Sequence, residues 1–267
     1  MTAADVTSED AEGFNAEGFN AEGFGAEGLA TAEQWRDWLS THRLPALELT
    51  EPTRMLVVSA HPDDEVLGAG GLIAERIAAG GGVTVLCLSD GAASHPGSPT
   101  VSPADLARIR RAELEASLAE VGVEHVRHVG LPDGELADHA AEMEEAVAEA
   151  METFGGHDLV LAPWRGDRHP DHEAAGRAAV AAAQRTGSVF AEYPVWMWHW
   201  ATPGDPAVPW ERASAHPLSE GAHAAKMRAV AAFVSQITDL SPDPADRAVL
   251  PPRILDRLTG RTEVFFT

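Results

Sequence analysis

The chain has 267 residues, with 42 acidic residues against 19 Lys and Arg, a formal net charge of −23 and a single cysteine. That charge excludes the basic face needed for nucleic acid or an anionic membrane surface, and the lone Cys87 excludes a disulfide framework and cysteine-rich metal sites. No apolar run approaches the ~20 residues that span a bilayer. The acidic N-terminus lacks signal-peptide character, so the expectation is a soluble, cytoplasmic, globular protein, with an oligomer left open.

Residues 11–29 repeat a short unit, from Ala11-Glu-Gly-Phe-Asn to Ala26-Glu-Gly-Leu. A period of five fits neither helix nor strand, and each unit carries a glycine and a like charge. Residues 1–30 are therefore expected to be a disordered acidic tail, a solubilising segment rather than a set of Phe anchors, ahead of one domain over 31–267. A helix capped by Thr31 is expected to run to Leu44. Strands are expected at Met55–Ser59, Val83–Leu88, His125–Val129, Asp158–Ala162 and Ser188–Glu192. Helices between them are expected over 66–79, 103–121, 137–154 and 171–186. Such alternation means βαβ units and a Rossmann-like, doubly wound, mainly parallel α/β sheet. After Pro194 come an aromatic stretch, a helix near 219–235, a Pro-rich loop and a last strand at Glu263–Phe266.

Open α/β sheets place their chemistry in loops at the carboxyl ends of strands. Two such loops stand out, Ala60-His-Pro-Asp-Asp-Glu65 after the first strand and Asp167-Arg-His-Pro-Asp-His172 after the fourth. A catalytic zinc takes three N/O ligands and keeps a fourth position for water. His61 and Asp64, three apart across a Pro-stiffened turn, can supply two, and His172 a third. Of Asp63 and Asp64, one then neutralises the metal and the other is free to take a proton from water. Helix capping is the competing explanation for the acids in each loop. It does not account for His-Pro-acid occurring twice at strand ends that share a crevice.

These motifs, His61-Pro-Asp-Asp-Glu65 and His169-Pro-Asp-His172, resemble the LmbE/PIG-L family of zinc-dependent N-deacetylases from Met55 onward. Leu131-Pro-Asp-Gly134, Arg110 with Glu113, Lys226 and Ser235-Gln236 support the resemblance. It implies zinc held by His61, Asp64 and His172, with Asp63 as general base. It further implies that His169, as an imidazolium, stabilises the oxyanion and is a candidate to protonate the leaving amine, and that Asp171 orients it. Some relatives carry a Tyr where this chain has Asp167; the only Tyr here is Tyr193.

The expected substrate is the N-acetyl amide of an amino sugar in a small glycoside or glycoconjugate. The alternatives are another N-acyl or non-sugar amide, or a sugar-binding relative without turnover. Arg110 and Asp133 stand where family members contact substrate, and Trp196 and His199 are candidates for lining the sugar site. His95 is a candidate for the mouth. Gly68-Ala-Gly-Gly71 does not complete a dinucleotide fingerprint, since Ile73 takes the third glycine's place, and is read as close helix–sheet packing.

Overall fold

The computed structural model describes residues 30–49, 54–153 and 158–267; residues 1–29 of the expected tail, and Phe154, lie outside them. Helix α1 (Ala32–Thr41) opens on the expected Thr31 cap. The Thr31 hydroxyl accepts the Gln34 N–H at 3.2 Å, and the Gln34 side chain accepts the Thr31 N–H at 2.7 Å, a reciprocal capping box. The helix ends three residues earlier than the apolar spacing suggests.

Five parallel strands carry the site: β1 (Met55–Ser59), β2 (Val83–Ser89), β3 (His125–Leu131), β4 (Leu159–Pro163) and β5 (Val189–Tyr193). Every residue of β1, β2 and β4 is buried. Helices cover both faces, which is why these strands read as unbroken apolar runs. Met55 and Val57 face the core under α2 (Asp64–Ala78) and α3 (Pro103–Val121). Leu56 and Val58, on the opposite side of the pleat, face α4 (Ala140–Thr153) and α5 (Pro170–Thr186). A 3₁₀ turn at Leu136–His139 precedes α4, in place of the single continuous helix that the sequence suggests.

The strand order is β3-β2-β1-β4-β5. The chain builds outward from β1 to β3 and then returns to lay β4 on the free edge of β1. The loops leaving β1 and β4 diverge at this reversal and open a crevice. Both sequence motifs sit in those loops. The aromatic stretch after β5 forms a short helix, α6 (Met197–Trp200), and two further strands extend the sheet. These are β6 (Ala213–Pro217) and β7 (Thr262–Phe266), with β7 antiparallel against β5 and β6 outermost.

The Gly68–Gly71 stretch serves packing, as read from the sequence. A Cβ at Gly68 would stand 2.1 Å from the Tyr193 ring, and one at Gly71 would stand 2.4 Å from Leu218. The Tyr193 hydroxyl donates to the Val58 carbonyl at 2.6 Å, so the only tyrosine is a strut between β1 and β5. Farther along α2, the amides of Gly71 and Leu72 donate to the Glu263 carboxylate at 2.8 and 2.9 Å. Lys226 Nζ bonds both Glu263 and the Leu67 carbonyl at 2.8 Å.

The structure departs from the expected elements beyond Trp200. The single helix expected near 219–235 is two, α7 (Glu220–Val230) and α8 (Val234–Ile237). Phe233 leaves helical geometry (φ −81°, ψ 56°) to bury its ring, and Ser235 gives both its N–H and its hydroxyl to Glu113 at 2.7 Å. Strand β6 and helix α9 (Pro252–Leu258) have no signal in the sequence. Ala213-Ser-Ala-His-Pro217 has no β-branched residue and ends in Pro, which suits only an edge.

Candidate active site

The β1 loop turns at Pro62 into a strained residue. Asp63 has φ 133° and ψ −30°, in the positive-φ region that residues with a Cβ avoid. It stands at the N-cap position of α2, yet its side chain makes no capping hydrogen bond. Instead Arg110 Nη2 donates to Asp63 Oδ2 at 3.0 Å. Arg110 also donates to the carbonyls of Pro62 (2.8 Å) and Gly91 (3.0 Å), so this buried guanidinium fastens the strained turn. Capping therefore does not explain the Asp63 carboxylate.

Asp64 lies between the two histidines. One of its oxygens is 3.5 Å from His61 Nδ1 and accepts the His61 backbone N–H at 2.9 Å. The other is 3.2 Å from His172 Nε2. Each separation, made by a different oxygen of Asp64, is near the ~3.3 Å between neighbouring ligands of a tetrahedral ion with bonds of ~2.0–2.1 Å. His172 Nε2 is buried and has no hydrogen-bond partner. Each histidine has its second nitrogen held by a carboxylate, the arrangement that fixes a metal-ligating ring. His172 Nδ1 is 2.7 Å from Asp167 Oδ2. His61 Nε2 is 3.0 Å from Asp171 Oδ2 and 3.1 Å from Asp133 Oδ1. Donor atoms of His61, His169 and His172 lie within 4.8 Å of one another, as do those of His61, Asp133 and Asp171.

The buried acids and rings shift one another's pKa values. Burial disfavours the His172 imidazolium, but Asp64 and Asp167 on either side raise its pKa to about 9. Burial is likewise outweighed at His61, where Asp133, Asp171 and Asp64 raise the pKa well above its ordinary value. Asp64 is held well below the carboxylate range by the two rings, against the effect of burial. Asp63 is pushed up to about 7 by burial despite Arg110, and neighbouring Glu65 to about 8, again chiefly by burial.

The β4 loop is held by backbone amides. The Asp167 carboxylate, fully buried, accepts from the N–H groups of Val195, Trp196 and Met197 at 2.7–3.2 Å. Asp171 accepts from Gly134 (2.8 Å) and Leu136 (3.1 Å) as well as reaching His61. The orienting carboxylate expected behind His169 thus serves His61. The His169 ring is the N-cap of α5, with Nδ1 accepting the Asp171 backbone N–H at 3.3 Å. Burial, then the His172 and His61 charges, hold its pKa well below the ordinary value. The acceptor geometry at Nδ1 and the lowered pKa both favour a neutral ring over the imidazolium that the resemblance implies.

Residues 56–183 match the family model described as "PIG-L: GlcNAc-PI de-N-acetylase". That segment is a PIG-L (LmbE) family domain. A curated relative, the 1D-myo-inositol 2-acetamido-2-deoxy-alpha-D-glucopyranoside deacetylase of Mycobacterium sp. (strain KMS), is 34% identical over 170 residues, 55% of this chain and 54% of the relative. The chain thus matches about half the length of that relative. Among solved structures, the conserved protein TT1542 from Thermus thermophilus is 27% identical, with a TM-score of 0.58 over 80% of this chain and 94% of that one. The N,N'-diacetylchitobiose deacetylase from Pyrococcus horikoshii shares the fold at 23% identity, with a TM-score of 0.56 over 79% and 82% of the two chains.

The fold gathers most of the expected residues around one cleft. His61, Asp63, Asp64, Arg110, Asp133, His169, Asp171 and Trp196 all line it. The Trp196 ring stacks 6.4 Å from that of His169. His199 corrects the sequence reading: it is buried but does not line this cleft, because α6 turns its ring toward α9, where Arg257 Nη1 stands 3.1 Å from Nδ1. His95 also stays out of the lining, although its neighbours Ser94 and Pro96 contribute to it. Arg168 stacks on Trp200 at 3.8 Å. Sequence reasoning missed the role of Asp167, whose only local signal is an acid five residues before His172. It also missed Val249 and Leu250 on the cleft wall. Among the described residues no helix is long and apolar enough to cross a membrane.

Proposed function

We propose that this protein is a zinc-dependent hydrolase that removes the N-acetyl group of an amino sugar in a small glycoside or glycoconjugate. The observation that carries the reading is a pair of histidines aimed at Asp64 and braced from behind by carboxylates, beside an Asp63 freed from capping. His61, Asp64 and His172 would hold the metal. Bound there, zinc supplies Lewis acidity that brings the pKa of water to ~7 and polarises the amide carbonyl.

The chain's own groups do the rest. Arg110 occupies Asp63 Oδ2, which leaves Oδ1 to take the proton of the attacking water. Raised by burial, Asp63 is a stronger base than a surface carboxylate. His169 accepts at Nδ1, so its proton sits on Nε2 and is donated to the oxygen that gains charge as the tetrahedral centre forms. When the C–N bond breaks, the proton held at Asp63 Oδ1 passes to the departing amine, giving acetate and the free amino sugar. The Trp196 face offers the sugar ring a stacking platform.

The test is metal content and acetate release from N-acetylglucosamine derivatives. One zinc per chain is expected, lost in His61→Ala, Asp64→Ala and His172→Ala together with activity. Full zinc occupancy in all three variants would overturn the ligand assignment. A zinc-loaded wild type that releases no acetate from any N-acetyl sugar would favour another amide.

A further inference from the structure

The cleft is lined by charged side chains and, beside them, by a wall of different chemistry. The wall consists of Leu67, Pro96, Val195, Trp196, Val249 and Leu250, and the polar side chains that join it are Ser94 and Gln236. Those two are partly committed to each other, with Gln236 Nε2 3.3 Å from Ser94 Oγ and 2.9 Å from Ser235 Oγ. Among the described residues Arg110 is the one Lys or Arg lining the cleft. Its amino groups are already given to Asp63, Pro62 and Gly91.

The wall is built rather than incidental. It joins the loop after β2 to the long loop between α8 and α9. Buried Asp246 accepts hydrogen bonds from the hydroxyls of Ser98 and Thr100 on the first loop and Ser241 on the second. The Leu250 N–H donates to the Gln236 carbonyl at 2.8 Å. Two loops pinned through one carboxylate hold Pro96, Val249 and Leu250 in place beside the mouth.

Resting on the deacetylase reading, we propose that this wall selects N-acetylated amino sugars whose aglycone is uncharged and apolar, an aryl or alkyl group, over those bearing phosphate or carboxylate. With the amide at the metal ligands and the sugar on Trp196, the aglycone passes along Leu67, Pro96, Val249 and Leu250. An apolar group gains there by leaving water. An anionic aglycone meets on this wall no Lys or Arg among the described residues, and it approaches a chain of net charge −23.

The experiment compares kcat/KM for acetate release by the zinc-loaded full chain on three 2-acetamido-2-deoxyglucose compounds: the phenyl glycoside, the free sugar and the 1-phosphate. The phenyl glycoside is expected to exceed the free sugar by about tenfold or more, with the 1-phosphate below both. Val249→Ser is expected to bring the phenyl-to-free ratio toward one. Pro96→Arg, at an exposed position, is expected to raise activity on the 1-phosphate selectively. A 1-phosphate turned over as well as the phenyl glycoside, or a ratio insensitive to Val249→Ser, would overturn the selectivity while leaving deacetylation standing. Acetate from none of the three, with zinc bound, would overturn the deacetylase reading and this inference with it.

Discussion

The loops after β1 and β4 carry nearly the same letters, His-Pro-Asp-Asp and His-Pro-Asp-His, and use them in opposite ways. In the β4 loop the acids are saturated: Asp167 holds three backbone amides and His172, and Asp171 holds two amides and His61. The β1 loop instead twists Asp63 into a costly conformation that removes its side chain from the helix end and leaves one oxygen uncommitted. In the proposed mechanism the carboxylate that moves a proton is left loosely bound, and the carboxylates that hold rings still are over-determined. Rigid support and reactivity are thus divided between two loops of similar composition.

Removing the uncommitted oxygen should have the largest effect. Asp63→Asn is expected to retain zinc and to lose about 10²–10⁴-fold in acetate release, the range for a general base. Turnover like wild type would reduce Asp63 to a structural turn. His169→Ala, which deletes the neutral donor at the lip of the second loop, is expected to cost about 10²–10³-fold in kcat with zinc retained. Because the ring donates without carrying charge, the rate profile above pH 7 should keep its shape in that variant. A lost alkaline limb would restore the imidazolium.

Asp167→Asn tests the saturated side. Losing the carboxylate behind His172 is expected to weaken zinc binding by about 10–100-fold, measured by competition with a chelator, whereas Asp63→Asn leaves affinity nearly unchanged. Equal affinities in the two variants would erase the contrast between the loops. The smallest effect is on stability. In the metal-free protein His172 is raised from 6.5 to about 9, so its contribution is complete below pH 6.5 and is lost as the pH rises through 9. Asp63 and Glu65, raised to about 7 and about 8, add the same sign at lower pH. Melting temperature after chelation should fall by several degrees from pH 6.5 to 9, and the zinc-loaded protein should lack that slope.

The sequence exposes one tier of this arrangement. Buried parallel strands announce themselves as short apolar runs, so β1, β2 and β4 are legible, and the proposed ligands lie in the segments that follow β1 and β4. The supporting tier is hidden because its partners are distant: Asp167 is anchored at residues 195–197, and Arg110 reaches back 47 residues to Asp63. Proximity in the chain pairs Asp171 with the nearer histidine, although folding brings His61, 110 residues away, to its carboxylate. His199 looks like a site residue because aromatic density alone does not reveal which way a short helix turns. Strand β6 and helix α9 give no signal, since edge strands and Pro-initiated turns need little apolar patterning.

The ion pair between Lys226 and Glu263 bears on where this protein can be cut. The family match ends at residue 183, and a fragment trimmed to that boundary would keep both motifs. It would also leave the Gly71 and Leu72 amides and the Leu67 carbonyl without the groups that answer them from α7 and β7. Those groups lie on α2, the helix that begins with Asp64. Residues beyond the recognisable segment are thus part of the frame that holds α2, and with it Asp64, in place.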